Sequence, residues 1–277
     1  MFLDRLIDLA FEEDLAAAGD ITTDALVERH KMGHGFIMAK EGLVVAGLDV
    51  AAAVFNRLDN NIVFRANCQN GDFVHKGTDV LTVDGPFHTL LKGERTALNF
   101  MQRLSGIATH TRAYTQMIAD LHTKLADTRK TTPGWRALEK EAVRLGGGVN
   151  HRMGLYDGIL IKDNHIKACN GSIQDAVAKA RAAASHFIKI EVETSSLEEV
   201  REALEAQADI IMLDNMQPEM ITEALQLISG RALTEISGGI NQNNLREYAE
   251  LGADLISMGA LTHGAKGVDL SMTIHTV

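Results

Sequence analysis

Six cationic side chains stand beside turn residues or at the polar ends of apolar runs within residues 128–165, namely Arg129, Lys130, His151, Arg152, Lys162 and His165. From residue 129 to residue 165, seven Lys and Arg stand against four Asp and Glu, whereas the rest of the chain has 20 against 33. Arg, Lys and backbone N–H groups suit phosphate and carboxylate oxygens. We therefore expect this stretch to bind a small, strongly anionic ligand.

Three further cations of the same stretch, Arg136, Lys140 and Arg144, alternate with acidic residues on a helix predicted over 135–145. Opposite charges three or four residues apart are typical of solvent-exposed helix faces. We assign these three side chains to a solvated helix face rather than to the ligand.

Composition limits the class of protein. The 277 residues carry a formal net charge of −10, which argues against a nucleic-acid surface because such surfaces need a basic footprint. Two cysteines, Cys68 and Cys169, give neither a disulfide framework nor a zinc-binding spacing. The acidic N-terminus lacks the apolar core of a signal peptide, and no apolar run approaches the roughly 20 residues of a membrane span. We expect a cytoplasmic protein that binds neither nucleic acid nor membrane.

The first part of the chain predicts a small α/β domain. Residues 2–15 form an amphipathic helix, and a second helix over 49–58 lies between strands over 35–42 and 61–68. Residues 70–86 add two short β runs. Their GDFVHKG sequence resembles small domains that carry biotin or lipoate, but the local setting of a carrier lysine is not evident, so we interpret it as scaffold.

A long helix is predicted over 88–104, and it carries Arg95. Composition alone favours a surface charge for Arg95. Ser105 and Gly106 are predicted to end this helix, and we place the domain boundary close to them.

From residue 107 onward, an apolar run, a polar or glycine turn and an amphipathic helix recur every 20–25 residues. Strands are predicted over 124–127, 158–162, 188–193, 209–214, 233–237 and 255–259, and helices over 135–145, 196–206, 218–228 and 243–251. This alternation indicates a parallel sheet with both faces covered. It favours a closed α/β barrel, and the absence of GxGxxG after a first strand argues against a dinucleotide-binding fold.

Active sites of such barrels form at the carboxyl ends of the strands. Cations follow the early strands, the carboxylates Glu193 and Asp214 end middle strands, and glycine turns follow the late strands. The late turns 237–239 and 257–259 are typical of a phosphate cradle. Glu193 and Asp214 are candidates for holding Mg²⁺ or sugar hydroxyls, with helix capping as the structural alternative.

The sequence resembles the quinolinate phosphoribosyltransferase family, also called carboxylating nicotinate-nucleotide pyrophosphorylase. The motifs run through nearly the whole chain in order: GDITT (19–23), KGERTALNFMQRLSGIATHT (92–111), DTRKTTPG (127–134), GGGVNHRMGLYDGILIKDNHI (146–166), EVE (191–193), LDN (213–215), SGGI (237–240) and ISMGALTH (256–263). Leu145, Met101 and Trp135 stand at positions where other residues are common in the family.

The resemblance implies an α/β fold in which an open α/β sandwich domain precedes a seven-stranded TIM-like α/β barrel. We expect domains over 1–107 and 108–263, with the tail 264–277 packed back on the first domain. It also implies a homodimer in which the first domain of one subunit caps the barrel of the other.

The resemblance further implies an enzyme of NAD biosynthesis, a Mg²⁺-dependent transferase. It would move phosphoribosyl from phosphoribosyl pyrophosphate to quinolinate, giving nicotinate mononucleotide, pyrophosphate and CO₂.

Matching motif positions imply a role for each site residue. Arg95 would reach the neighbouring subunit's site and join Arg129, His151 and Arg152 around the quinolinate carboxylates. The catalytic set would be Lys130, Lys162, Glu193 and Asp214, with Glu193 and Asp214 holding Mg²⁺ and the ribose hydroxyls. The remaining substrate-binding residues would be Thr128 and the 5-phosphate turns Ser237-Gly238-Gly239 and Met258-Gly259-Ala260.

Three other functions fit parts of the pattern. The first is a phosphoribosyltransferase of the same fold with a different acceptor. The second is a Schiff-base aldolase that uses Lys162 at a strand end. The third is a non-enzymatic anion sensor in which the two carboxylates are only helix caps.

Overall fold

The computed structural model describes residues 2–277. Its helices are α1 (Phe2–Leu15), α2 (Ile21–Leu26), α3 (Leu48–Leu58), α4 (Phe87–Met117), α5 (Arg136–Leu145), α6 (Asp163–Ala168), α7 (Ile173–Ala183), α8 (Leu197–Glu205), α9 (Pro218–Ile228), α10 (Leu245–Glu250) and α11 (Ala260–His263). Its strands are β1 (Met32–Ala39), β2 (Leu43–Val44), β3 (Val63–Ala66), β4 (Phe73–Val74), β5 (Asp79–Pro86), β6 (Lys124–Ala126), β7 (Ile159–Ile161), β8 (Ile190–Thr194), β9 (Ile210–Asp214), β10 (Leu233–Ser237), β11 (Leu255–Ser257) and β12 (Leu270–Thr276).

The chain divides into two compact units. The first contains the residues up to Arg112 together with Pro133–Gly147 and Ala265–Val277, and the second contains Ala113–Thr132 and Gly148–Gly264. Within residues 2–277, no helix combines the length and the apolar character needed to cross a membrane.

The first unit is built on an antiparallel sheet. Four strands pair in the order β12-β1-β5-β3, and a second, two-stranded sheet pairs β2 with β4. Alternate residues of β1 are buried, as expected for a strand with one face on a core. The predicted helices over 2–15 and 49–58 are confirmed as α1 and α3.

Helix α4 continues through Ser105 and Gly106 to Met117, so the predicted helix end was wrong. Both residues lie within the helix and make tertiary contacts. The buried Ser105 hydroxyl donates to Ala46 O and accepts from Ala46 N. A Cβ on Gly106 would lie 2.1 Å from Lys266 O. Glycine therefore lets a second backbone lie directly against the helix, and this tertiary contact outweighs its poor helix propensity.

The prediction of a solvated face on α5 was wrong for Lys140. Lys140 and Glu139 are completely buried, and Glu139 accepts hydrogen bonds of 3.2 and 2.9 Å from the Arg103 guanidinium of α4. Buried charges need a partner, and Arg103 supplies it for Glu139. For Arg144 the prediction is confirmed, because it forms an exposed pair with Glu141 at 3.2 Å.

The second unit contains a parallel sheet of six strands in the order β6-β11-β10-β9-β8-β7. The strands match the predicted apolar runs, and α8, α9 and α10 match the helices predicted over 196–206, 218–228 and 243–251. Helices α6, α7 and α11 were not predicted individually. Ser172 and Ser196 cap α7 and α8 by accepting from the N–H three residues on. Beyond β6, Ala126 forms an isolated parallel bridge with Val149. The mixed α/β class is thus confirmed. Because the six strands are parallel, their carboxyl ends all lie along the same side of this sheet.

We predict that Gly106→Ala destabilises the protein by about 1–3 kcal/mol, because the added methyl overlaps the Lys266 carbonyl. The helix propensity of alanine, about 1 kcal/mol better than glycine, acts in the opposite direction. Chemical denaturation followed by circular dichroism measures the change.

The matched control is Gln116→Ala at an exposed position of the same helix. It should change stability by less than about 0.5 kcal/mol. A Gly106→Ala protein as stable as this control would contradict the close approach described above.

Candidate active site

A cavity of about 690 Å³ opens where the parallel strands of the second unit end. Among the predicted site residues, those that line it are Thr128, Arg129, Lys130, His151, Arg152, Lys162, Glu193, Asp214, Ser237, Gly238, Gly239, Met258, Gly259 and Ala260. The volume is in the range of small-molecule sites. Carboxyl ends of parallel strands meet at one edge, which is why residues spread over 133 positions converge here.

Arg95 is the predicted site residue that this cavity does not include among its lining residues within 2–277. It is exposed on α4, in the first unit.

The cationic side of the cavity is positioned by Asp127, which directly follows β6 and is completely buried. Its carboxylate accepts from Asn150 Nδ2 at 2.6 Å and from the backbone N–H of His151 at 2.9 Å. The early strand end is thereby tied to the segment that carries His151 and Arg152. Sequence reasoning placed Asp127 at a strand end but gave it no role.

Arg152 is oriented by its backbone and by its side chain. Its N–H donates to His151 Nδ1 at 2.7 Å, and its guanidinium donates to Gly158 O at 2.9 Å. Burial, followed by the nearby charge of Arg129, lowers the pKa of Arg152. Two cations held this close repel each other, so a bound anion would be stabilised strongly between them.

Carboxylates stand at the ends of β8 and β9. Glu193 forms an ion pair with Lys162 Nζ, and Asp214 accepts from Asn215 Nδ2 at 2.7 Å. Both side chains are partly exposed to the cavity, and their oxygens suit Mg²⁺, which is commonly held by one or two carboxylates together with substrate phosphates. The donor set therefore fits this ion.

The turn after β10 requires glycine. Gly238 has a φ of +89°, and a Cβ there would lie 2.2 Å from Asn215 Oδ1. Side chains are disfavoured both by this backbone conformation and by the contact. The turn can therefore present its backbone directly to a ligand, as a phosphate cradle needs.

A buried cluster that sequence reasoning missed lies on the same side of the cavity as His151. His151 Nε2 is 3.0 Å from Glu191 Oε2 and 3.7 Å from Glu235 Oε1. Glu191 is 4% exposed and Glu235 is 1% exposed. The signal was present in the period of two along a strand, because Glu191 lies two residues before Glu193 and Glu235 two residues before Ser237.

The ligand atoms of this cluster all lie within 4.8 Å of one another, a spacing that a metal ion could bridge. The ring of His151 argues for a different use. Its Nδ1 accepts the Arg152 N–H, so a neutral imidazole carries its proton on Nε2 and has no lone pair there for a cation. The geometry favours a proton-bearing network in which Nε2–H donates to Glu191.

Glu235 carries the clearest electrostatic perturbation of the site. Burial, followed by the charge of Glu191, raises the pKa of Glu235 to about 7, against an opposing effect of His151. A carboxyl group that is half protonated at neutral pH can change its protonation when the charge beside it changes.

Family models of known proteins match most of the chain. The family model "Quinolinate phosphoribosyl transferase, N-terminal domain" matches residues 20–105, and the C-terminal domain model of the same family matches residues 107–273.

Curated relatives and solved structures carry related names. "Probable nicotinate-nucleotide pyrophosphorylase (carboxylating)" from Bacillus subtilis is 45% identical over 98% of this chain and 93% of its own length. The protein of that name from Methanocaldococcus jannaschii is 42% identical over 98% and 96%. The crystal structure of NadC from Streptococcus pyogenes has a TM-score of 0.95 and 44% identity, covering 99% of this chain and 97% of that one.

We predict that Glu235→Gln stabilises the protein more at pH 8 than at pH 5. Between pH about 4.5 and about 7 the folded protein binds more protons at Glu235 than the unfolded chain does, so rising pH costs stability that a neutral amide does not lose. The gain at pH 8 relative to pH 5 is at most about 3 kcal/mol.

Denaturant unfolding of both proteins at the two pH values measures this difference. Glu247→Gln, at an exposed carboxylate of α10, is the matched control and should follow the wild-type pH dependence. Parallel stability curves for wild type and Glu235→Gln would show that Glu235 is ionised like an ordinary carboxylate.

Proposed function

The chain belongs to the quinolinate phosphoribosyltransferase family, and from that premise we propose that it transfers phosphoribosyl from phosphoribosyl pyrophosphate to quinolinate. The products are nicotinate mononucleotide, pyrophosphate and CO₂, which places the enzyme in NAD biosynthesis. The observation that carries the proposal is the charge arrangement of one cavity: paired cations on one side, carboxylates and a glycine turn on the other.

The paired cations suit the acceptor. Quinolinate has two adjacent carboxylates, and Arg129 is close enough to Arg152 for its charge to lower the pKa of Arg152. Guanidinium groups bind carboxylates through parallel hydrogen bonds, so these two side chains are the proposed carboxylate ligands. His151, between Arg152 and Glu191, completes this side of the pocket.

The donor would lie along the late strand ends. We assign its 5-phosphate to the turns Ser237-Gly238-Gly239 and Met258-Gly259-Ala260, and its pyrophosphate to Lys130 and Lys162. Lys130 is held by its backbone, whose carbonyl accepts from Thr262 Oγ1 at 2.7 Å and whose N–H donates to Thr128 Oγ1 at 3.0 Å.

Glu193 and Asp214 are the residues that would hold Mg²⁺ and the ribose hydroxyls. The ion, when bound, supplies positive charge that stabilises the leaving pyrophosphate.

The reaction needs no side-chain nucleophile. The pyridine nitrogen forms a bond to C1 of the ribose as the C1–pyrophosphate bond breaks. Lys130 and Lys162 are placed to neutralise the negative charge that develops on the leaving oxygen. When CO₂ leaves, the bonding electrons remain on the ring carbon and a proton replaces the carboxyl group. Lys162 is the proposed cation near that carbon.

We also propose the finer architecture implied by the family. The bridge between Ala126 and Val149 supports a seventh strand position beyond β6, and hence a seven-stranded, closed barrel. The family-model limits at residues 105 and 107 support domains over 1–107 and 108–263. Pairing of β12 with β1 supports a tail over 264–277 that belongs with the first domain. A cytoplasmic location stays a prediction from composition.

A homodimer with shared sites is part of the proposal. Arg95 is an exposed cation on α4 and lies in the sequence motif that the family shares. Contribution of Arg95 to the site of a second copy would add a further cation for the acceptor carboxylates.

The aldolase alternative is less favoured by the geometry. Lys162 Nζ is engaged in an ion pair with Glu193, whereas a Schiff-base lysine must present a free, neutral amine to its carbonyl substrate. A transferase with another acceptor stays the main alternative. An assay of product release with quinolinate and with nicotinate distinguishes it from the proposed function.

We predict release of pyrophosphate and CO₂ in equal amounts from quinolinate, phosphoribosyl pyrophosphate and Mg²⁺. Nicotinate, which lacks the second carboxylate, should give at most a few per cent of this rate, because one of the two arginines then lacks its anion. Coupled pyrophosphate detection and labelled CO₂ measure the two products. Turnover with neither acceptor, together with donor binding, would indicate a different acceptor.

We predict that Arg95→Ala and Lys162→Ala are each inactive but folded, and that mixing them restores activity. One of the two sites in a mixed dimer has both residues, so equal random mixing should give about a quarter of wild-type activity. Subunit exchange is verified with differently tagged chains. Inactive mixed dimers would show that Arg95 does not act across subunits.

A further inference from the structure

Glu191 and Glu235 form a carboxyl pair that the proposed reaction steps do not use. Both are more than nine-tenths buried, and their ligand atoms lie within 4.8 Å of each other and of His151. In each, Oε1 is buried and accepts no hydrogen bond from residues 2–277. Two buried carboxylates at this spacing cannot both ionise without strong repulsion.

The groups that face Glu235 come from several elements. Glu191 on β8 favours the protonated form of Glu235, while His151, Lys162 at the end of β7 and the Ser257 hydroxyl on β11 favour the ionised form. On the neighbouring strand β9, the uncharged Met212 pairs with Glu235, and the charged Asp214 lines the cavity two residues further on, opposite Ser237. The protonation of Glu235 is therefore balanced among opposing charges, and burial weighs toward the acid.

This balance is connected to the acceptor pocket through Arg152. Arg129 lowers the pKa of Arg152, and Glu191 raises it. An anion bound by the two arginines would bring negative charge close to the carboxyl pair. A single charge within about 10 Å, at an effective dielectric constant of about 20, changes proton binding by roughly tenfold.

The geometry points to a proton-coupled acceptor site, in which Glu235 takes up a proton from solvent when a dianionic acceptor binds. This inference rests on the proposed function for the identity of the acceptor. Glu235 acts through Glu191 and His151 and is a positioning residue. Its neutral form leaves Glu191 as the acceptor for His151 Nε2–H and removes a negative charge that would oppose capture of the dianion.

Calorimetric titration with quinolinate, in buffers that differ in ionisation enthalpy, counts the protons taken up. At pH 7.5 the wild-type enzyme should take up a large fraction of one proton, and at pH 5 almost none, because Glu235 is then already protonated. The Kd for quinolinate should rise as the pH increases above neutrality, by about tenfold in total, because the bound charge changes proton binding by that factor.

Three substitutions distinguish the effect of a titratable carboxyl group from the effect of side-chain shape. Glu235→Gln should bind quinolinate with no buffer-dependent heat and with a flatter pH dependence. Glu235→Asp, which keeps a titratable group, should retain proton uptake. Glu191→Gln removes the neighbouring negative charge and should shift the uptake to lower pH.

Proton uptake by Glu235→Gln equal to that of the wild type would overturn the inference, because another group would then carry the proton. Infrared difference spectra of the ligand-free enzyme give a test independent of the substrate. The carbonyl stretch of a protonated carboxylic acid should be present at pH 6 in the wild type and lost in Glu235→Gln.

Failure to bind quinolinate, with that band present, would count against the proposed function and leave Glu235 as the proton carrier. Absence of the band would overturn the inference whatever binds.

Discussion

Repulsion between like charges in a confined space is the constraint on which the second unit depends. Arg129 and Arg152 repel each other at the cavity, and the buried Glu191 and Glu235 repel each other next to His151. His151 lies between the two pairs and contacts both, through Arg152 N–H and Glu191 Oε2. The negative charge of Glu191 opposes the effect of Arg129 on the pKa of Arg152, so the two pairs are electrostatically linked. The cavity is thus electrostatically prepared for an anion.

The parallel sheet positions these charges through its register. Glu191 and Glu193 share one face of β8, and Glu191 is the more deeply buried of the two. Glu235 and Ser237 likewise share one face of β10, and Glu235 is the more deeply buried. The deeper positions are shielded from water and hold the proton-bearing group, whereas the shallower ones stay accessible to ligand. One strand therefore places two carboxylates in different dielectric surroundings, which is how side chains of the same type acquire different roles.

The sequence predicted the repeating strands and helices of the second unit because apolar periodicity is a local property. It also predicted the residues around the cavity, because they follow directly from the strand ends. Properties that depend on distant contacts were not predictable. Gly106 was assigned to a helix end because nothing nearby in sequence reveals the backbone at Lys266 that lies against it. Lys140 was assigned to solvent because its neighbours form charge pairs at helical spacing, and its burial follows from packing alone. Glu235 shares a strand face with the predicted site residue Ser237, but its burial beside Glu191 and His151 depends on contacts between distant parts of the chain.

The pairing of Gly33 with Thr276 joins residues separated by almost the full chain. The sheet of the first unit therefore stays incomplete on the ribosome until β12 has left the exit tunnel, after the entire second unit has been made. Until then β1 has an unpaired edge, which is open to wrong partners such as the same strand of another nascent chain. The order of synthesis thus favours early completion of the second unit, and it leaves one edge of β1 unpaired until β12 has been made.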